Sequence, residues 1–150
     1  MEIIDFNVNN LDDLVSIMQS NIPIYFAEHE VSEFKSFFTD NQESYKYWIA
    51  IKDNKVVAGA GIAYNEKLTE GYLCWGMVQN ELRGQGIGTV LTKMRIEDAK
   101  KTLGVGGKII CKTTQHSYTY YQKMGFKLLF TVDNHWTEGM HLYEMELILE

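Results

Sequence analysis

The stretch Leu82-Arg83-Gly84-Gln85-Gly86-Ile87-Gly88-Thr89 constrains this chain more than any other. It packs three glycines into five positions between a β-like run, Tyr72 to Val78, and a helix-forming run, Thr89 to Leu103. A strand, a glycine turn and a helix in that order aim backbone N–H groups at an anion. The first N–H groups of a helix have no internal partner, and the macrodipole adds positive potential there. Glycine lets the main chain approach a phosphate closely and adopt φ > 0. The stretch therefore reads as a diphosphate seat at the mouth of a helix.

Two phosphate readings fail on the residues themselves. A nucleotide P-loop needs a lysine and then Ser or Thr after its last glycine, and here Gly88 is followed by Thr89-Val90. A dinucleotide fingerprint needs G-x-G-x-x-G after the first strand of a parallel unit, with an acidic residue about 20 positions on. The glycines here stand at 84, 86 and 88, after a strand of an antiparallel meander.

With 150 residues, 45% of them hydrophobic, and no repeat or linker, the chain reads as a single domain, residues 1–150, with a sizeable core. The net charge of −6 argues against a nucleic-acid partner and suits a cationic one, although solubility alone accounts for it. Cys74 and Cys111 lie in separate β-like runs without metal-ligand spacing, so they read as small buried hydrophobes, and no metal site is expected. No apolar run approaches the roughly 20 residues of a membrane span. No membrane association and a cytoplasmic location are expected.

Alternation and helical spacing predict the remaining elements. Ile3 to Val8 begins as a strand. Leu11, Leu14, Val15 and Met18 stripe a helix that Asn21-Ile22-Pro23 ends. Val31, Phe34, Phe37 and Phe38 predict a second helix from about Ser32. Tyr45 to Ile51 and Val56 to Tyr64 are strands joined by a tight Lys52-Asp53-Asn54-Lys55 turn. In the helix after the glycines, Ile87, Val90, Leu91 and Met94 share one face, while Ile96, Ala99 and Leu103 lie nearly opposite. The apolar surface thus shifts partway along that helix. Lys108 to Thr113 is a strand, Ser117 to Met124 a short helix, Phe126 to Val132 a strand, Asp133 to Gly139 a loop and Met140 to Leu149 a last strand. The order β-α-α-β-β-β-α-β-α-β-β predicts an α/β (α+β) domain. Its central sheet is mixed and mostly antiparallel, with helices on both faces.

Arg83-Gly84-Gln85-Gly86-Ile87-Gly88 matches the R/Q-x-x-G-x-G/A signature of the GCN5-related N-acetyltransferases, and Tyr121-Gln122-Lys123-Met124-Gly125-Phe126 resembles their Y-x-K-x-G-F signature. One helix, one strand and one short helix separate the two, as in that family. The resemblance implies an acyl-coenzyme A site, with acetyl-coenzyme A as cosubstrate and an amine, small or peptidic, as acceptor. It implies coenzyme contacts at Met77, Val78, Arg83, Gly84, Gln85, Gly86, Ile87, Gly88, Thr89, Thr114, Ser117 and Lys123. A bulge near Gly76 would free backbone for the pantetheine arm. Thr114 stands where members often carry an asparagine, which puts that one contact in doubt. Tyr121 matches the tyrosine that protonates the departing thiolate. Dimers are common in the family, and apolar strand edges allow one here.

The base stays open among Glu70, Glu28, Glu30, His29, His116 and Glu138, with Glu70 first because it begins the strand facing the acyl site. The resemblance implies an acceptor pocket built by the first two helices with their loop and by the last hairpin, here at Tyr25, Glu28, His29, Glu30 and Trp136. Aromatic and acidic groups together suit a cationic amine. The competing reading is a module that binds an acyl-coenzyme A without transferring the group.

Overall fold

The structure is a computed structural model that describes residues 1–40 and 44–150. Among these residues seven strands form one sheet: β1 (Glu2–Asp5), β2 (Ser44–Lys52), β3 (Lys55–Tyr64), β4 (Glu70–Val78), β5 (Lys108–Thr113), β6 (Lys127–Thr137) and β7 (Met140–Ile148). Among the described residues four α-helices accompany them: α1 (Leu11–Ser20), α2 (Glu30–Asp40), α3 (Ile87–Leu103) and α4 (Tyr118–Lys123). The sheet order is β1-β2-β3-β4-β5-β7-β6. Every neighbouring pair is antiparallel except β4 and β5. The element order and the mixed, mostly antiparallel sheet are those expected from the sequence.

Pleating sorts β3 onto two cores, because successive side chains point to opposite faces. A Cβ on Gly59 or Gly61 would run into Tyr47, on the face covered by Leu14, Ile17 and Met18 of α1 and Phe34 of α2. Ala58, Ala60 and Ile62 face α3 instead, against Ile87, Leu91 and Ala99. At the β2–β3 turn Asp53 and Asn54 both adopt positive φ, 52° and 62°, as a two-residue hairpin with primed geometry requires.

Helix α3 departs from the expected pattern. Its buried residues are Ile87, Leu91, Thr92, Arg95 and Ala99, one stripe along the whole helix. Val90 is exposed instead, and Asp98 accepts hydrogen bonds from Lys46 Nζ at 2.7 Å and from the Tyr64 hydroxyl. The apparent shift of the apolar face arises because two core positions carry polar side chains. Helix α2 starts earlier than expected, since Glu30 accepts the Ala27 N–H at 2.8 Å and closes the preceding turn. Strand β6 runs on to Thr137 through the expected loop, with a register shift between Val132 and Thr137. Asn134 supports that irregular hairpin, its Oδ1 accepting the Gly139 N–H at 2.7 Å. Strand β6 is an edge, and Leu129, Phe130 and Val132 are exposed on it.

A Cβ at residue 61 would stand 2.6 Å from Tyr47 Cδ2 and 2.7 Å from the Lys46 carbonyl oxygen, which is backbone and cannot swing away. Gly61→Ala is expected to destabilise the fold by about 1–3 kcal/mol, as overpacking does. Chemical denaturation would read this directly, and an unchanged midpoint would contradict the packing described.

Candidate active site

Strand β4 pairs with β5 only through Glu70, Gly71 and Tyr72. Beyond Tyr72 the two strands part. The cause lies in β4, where the register against β3 jumps from Cys74 opposite Gly61 to Met77 opposite Gly59. Trp75 and Gly76 thus share the space opposite Ala60, a β-bulge that bends the strand and interrupts its ladder. Trp75 takes φ 48°, and its carbonyl accepts the Tyr47 hydroxyl at 2.8 Å. The opened strands leave a cavity of about 750 Å³ walled by β4, the end of β5, α3 and α4. This lies within the range of small-ligand sites.

The glycine turn forms the mouth of that cavity. Gly86 caps α3 with φ 87°, and no side chain caps the helix. The first N–H groups of α3, from Ile87 to Thr89, face outward with the helix dipole behind them. Nothing stands within 4 Å of a Cβ at Gly84 or Gly86, so the surface there is open to an approaching group. Arg83 folds back from the turn. Its Nε donates to Asn21 Oδ1 at 3.0 Å and its Cζ lies 3.3 Å over the Tyr25 ring. Asn21 in turn donates to the Val78 carbonyl at 2.9 Å, which ties α1, β4 and the turn together.

Most residues expected at the site line this cavity: Met77, Val78, Arg83, Gly84, Gly86, Ile87, Gly88, Thr89, Thr114, Ser117, Tyr121, Tyr25, Glu30 and Trp136. Five do not. Gln85 accepts from Lys52 Nζ at 3.3 Å outside it, and Lys123 is exposed on α4. Glu28 borders a separate hollow with Gln19, Ile22 and Val31. His29 works as a clasp: its Nε2 lies 2.6 Å from the Trp136 carbonyl, joining the start of α2 to the β6–β7 hairpin. That bond raises the imidazole above its ordinary value, with burial opposing and Glu33 and Glu30 assisting.

Glu70 lies outside the cavity lining. It sits where β4 is still paired with Lys108 of β5, at the closed end of the strand, and accepts the Tyr72 hydroxyl at 2.6 Å. A strand rises about 3.3 Å per residue, so the start of β4 is far from its bulge. Glu30 is the carboxylate that lines the cavity, buried at the start of α2. Burial raises its carboxyl, while the Ala27 N–H and His29 oppose that rise.

Tyr121 is half-buried on α4, and burial pushes its hydroxyl well up. Tyr121, Arg95 on α3 and Cys111 on β5 line the same cavity, and the guanidinium charge acts to lower both the phenol and the thiol. Burial likewise raises the Cys111 thiol, to about 12. Tyr120 turns toward α3 and donates to Thr92 Oγ1 at 3.0 Å. The sequence reading missed Arg95 and Thr92. Their signal was available, because spacings of four, five, eight and twelve from Ile87 to Leu91, Thr92, Arg95 and Ala99 trace one helix face.

The acetyltransferase (GNAT) family model matches residues 12–126. The chain belongs to the GNAT family. No curated protein matches this GNAT chain. Solved structures match it in fold. An aminoglycoside 6'-N-acetyltransferase complexed with coenzyme A is 18% identical, with 99% of this chain and 97% of that one covered and a TM-score of 0.77. The aminoglycoside 6'-N-acetyltransferase from Enterococcus faecium is 18% identical over 99% and 97%, with a TM-score of 0.75. The ribosomal-protein-S18-alanine N-acetyltransferase from Escherichia coli is 19% identical over 99% and 94%, with a TM-score of 0.79.

Two glycines of the GNAT turn should respond differently to alanine. Gly86 has positive φ, so Gly86→Ala is expected to cost about 1–2 kcal/mol and to weaken coenzyme A binding. Gly88 is helical, and a Cβ there would make ordinary contact with Val78 Cγ2 at 3.7 Å. Gly88→Ala is expected to match or exceed wild-type stability by about 0.5–1 kcal/mol. Thermal denaturation with and without coenzyme A separates the two, and equal losses would contradict this reading of the turn.

Proposed function

We propose that the protein is an acetyl-coenzyme A-dependent N-acyltransferase that passes its acyl group directly to a cationic primary amine. The observation that carries this is one continuous cavity. It runs from the uncapped mouth of α3 past the bulged strand to Tyr121, with Glu30 on its wall. The diphosphate of the coenzyme sits on the N–H groups of Ile87 to Thr89. The pantetheine arm enters between the parted strands, where β4 beyond Tyr72 has no ladder partner in β5. A backbone N–H at Met77 or Val78 polarises the thioester carbonyl.

Glu30 takes the role first sought at Glu70. Its Oε2 is held by the Ala27 N–H, and among the described residues no hydrogen bond holds Oε1. That oxygen receives the acceptor's ammonium group and takes its proton, directly or through water. Tyr25, above Arg83, and Trp136, whose Nε1 donates to the Thr113 carbonyl at 3.2 Å, flank the acceptor entrance. Attack by the neutral amine forms the C–N bond and breaks the C–S bond, and Tyr121 gives its proton to the thiolate. Cys74 and Cys111 have no part as nucleophiles.

A binding module without transfer is the second reading. It draws on the burial of Tyr121, which makes proton donation harder. Thiol release from acetyl-coenzyme A with polyamines, aminoglycosides, amino acids and peptide N-termini decides between them. Release with a cationic amine supports transfer. Coenzyme binding by calorimetry with no release across the panel supports the module.

Tyr121→Phe is expected to lower turnover by about 10²-fold or more with coenzyme affinity retained. Unchanged turnover would remove Tyr121 as the acid. Glu30 must be ionised to act, and its carboxyl is raised, so the acid limb of the rate profile should fall at a higher pH than an ordinary glutamate gives. Glu30→Gln keeps an acceptor for the Ala27 N–H and should lower turnover while removing that limb. An unaltered profile in the variant would assign the base elsewhere.

A further inference from the structure

The buried stripe of α3 contains a cation. Arg95 is 2% exposed, yet it lines the cavity. Its Nε donates to the Leu91 carbonyl at 3.3 Å, Nη1 to the Gly61 carbonyl at 3.3 Å and Nη2 to Thr92 Oγ1 at 3.2 Å. All three acceptors are neutral. Among the described residues no carboxylate pairs with it. A guanidinium taken from water without an opposite charge is strongly unfavourable, and its stripe neighbours Ile87, Leu91 and Ala99 show what packing alone would place there. The arginine is also held fast. Thr92 accepts from Arg95 and from the Tyr120 hydroxyl and donates to the Gly88 carbonyl at 2.9 Å, so its hydroxyl is fully used.

Two further features point the guanidinium at the reaction. Tyr121 and Cys111 line the same cavity as Arg95, and the guanidinium charge acts on the hydroxyl of one and the thiol of the other. On the other side the β4 bulge presents Gly76, where a Cβ would stand 3.5 Å from both Nη1 and Nη2. With no side chain there, the end of the fork opens to the cavity.

The proton inventory gives this placement its purpose. When the C–S bond breaks, the electron pair leaves with sulfur as a thiolate. Tyr121 supplies the proton and becomes a tyrosinate; one ammonium proton leaves through Glu30 before attack, and the second, lost from the acylated nitrogen, returns through water to Tyr121. An alkyl thiol titrates near 8.5 and a tyrosine near 10, and burial pushes Tyr121 higher still. The transfer therefore runs uphill unless negative charge is stabilised where it appears.

We propose that Arg95 is the positioning residue for Tyr121. Its guanidinium holds the phenol oxygen and supplies the counter-charge for the tyrosinate formed as the coenzyme thiolate is protonated. This rests on the transferase reading above and goes beyond it. An N–H donated to the phenol oxygen also directs the Tyr121 O–H away from α3, toward the cavity.

The test uses the full chain carrying Arg95→Met, Arg95→Lys and Thr92→Val, each alone and combined with Tyr121→Phe. Coenzyme A affinity, turnover with acetyl- and succinyl-coenzyme A, and the melting temperature are measured. Arg95→Met is expected to lower acetyl turnover by about 10²-fold, to bind coenzyme A within about threefold of wild type, and to add less than about twofold to the loss in Tyr121→Phe, as coupled residues do. Arg95→Lys should recover part of the rate. Thr92→Val, which unhooks Nη2, should lower turnover several-fold only while Tyr121 is present, and it serves if Arg95→Met does not fold. Equal multiplicative losses in both backgrounds would overturn the proposal. So would a lower melting temperature with unchanged turnover, or a loss confined to succinyl-coenzyme A, which would make Arg95 a receptor for an acyl carboxylate. A wild-type protein that binds coenzyme A but releases no thiol removes the transferase reading first, and this inference with it.

Discussion

The structure depends on a failure of pairing. Two neighbouring strands of one sheet, β4 and β5, share only three residue pairs before they separate. A sheet does not part without compensation, because its N–H and C=O groups need partners. The bulge supplies some of it: the Trp75 carbonyl, turned from the ladder, takes the Tyr47 hydroxyl. Trp75 itself sits at positive φ, an uncommon state for a bulky residue that persists only when its surroundings over-determine it. Those surroundings are aromatic. The Trp75 ring meets Phe34 at 5.4 Å, and Phe34 packs with Phe38 and Tyr47. Helices α1 and α2 therefore clamp the bulge from one face so that a cavity can stand open beside the other.

The cavity also separates opposite charges. Glu30 looks in from α2, while α3 contributes its positive mouth and, two turns further along, the Arg95 guanidinium. Acyl transfer to an ammonium needs this division. A proton must leave the acceptor on one side, and negative charge must gather on sulfur on the other. The net charge of −6 is a property of the outer surface and says little about this interior arrangement.

Much of the fold was legible because local chemistry and tertiary packing agree. Asp53-Asn54 can form only a few turns, and the strands on either side read as β-prone apolar runs, with β3 buried on both faces from Val57 to Tyr64. The glycine turn announced the helix mouth. Legibility failed where tertiary context overrides pattern. In α3 a threonine and an arginine occupy core positions, so a reading that expects apolar residues inside finds two partial faces and misses the single stripe. Glu70 looked well placed because it begins the right strand, but only the register shows that this end of β4 is paired shut. Glu30 was one acid in a loop-like run, and nothing in its neighbours marked it as buried. At Asp133 to Gly139, polar residues suggested a loop, whereas a continued hairpin is held by the Gly139 N–H donated to Asn134 Oδ1 and the Asn134 N–H donated to His141 Nδ1, which composition does not reveal.

Burial acts on Tyr121 in two opposing ways. Removing water makes the neutral phenol harder to ionise and so a weaker acid. The same loss of water makes a nearby charge more effective, since a guanidinium in a low-dielectric pocket acts more strongly than one at the surface. A dry tyrosine alone would be a poor proton donor to a thiolate, and a buried arginine alone would be an uncompensated cost. In the proposed transfer each would offset the other at the moment the thiolate takes the proton, and the Thr92 junction holds the arginine to the glycine turn at the start of α3. On that proposal, the polar break in the α3 stripe is where packing yields to chemistry.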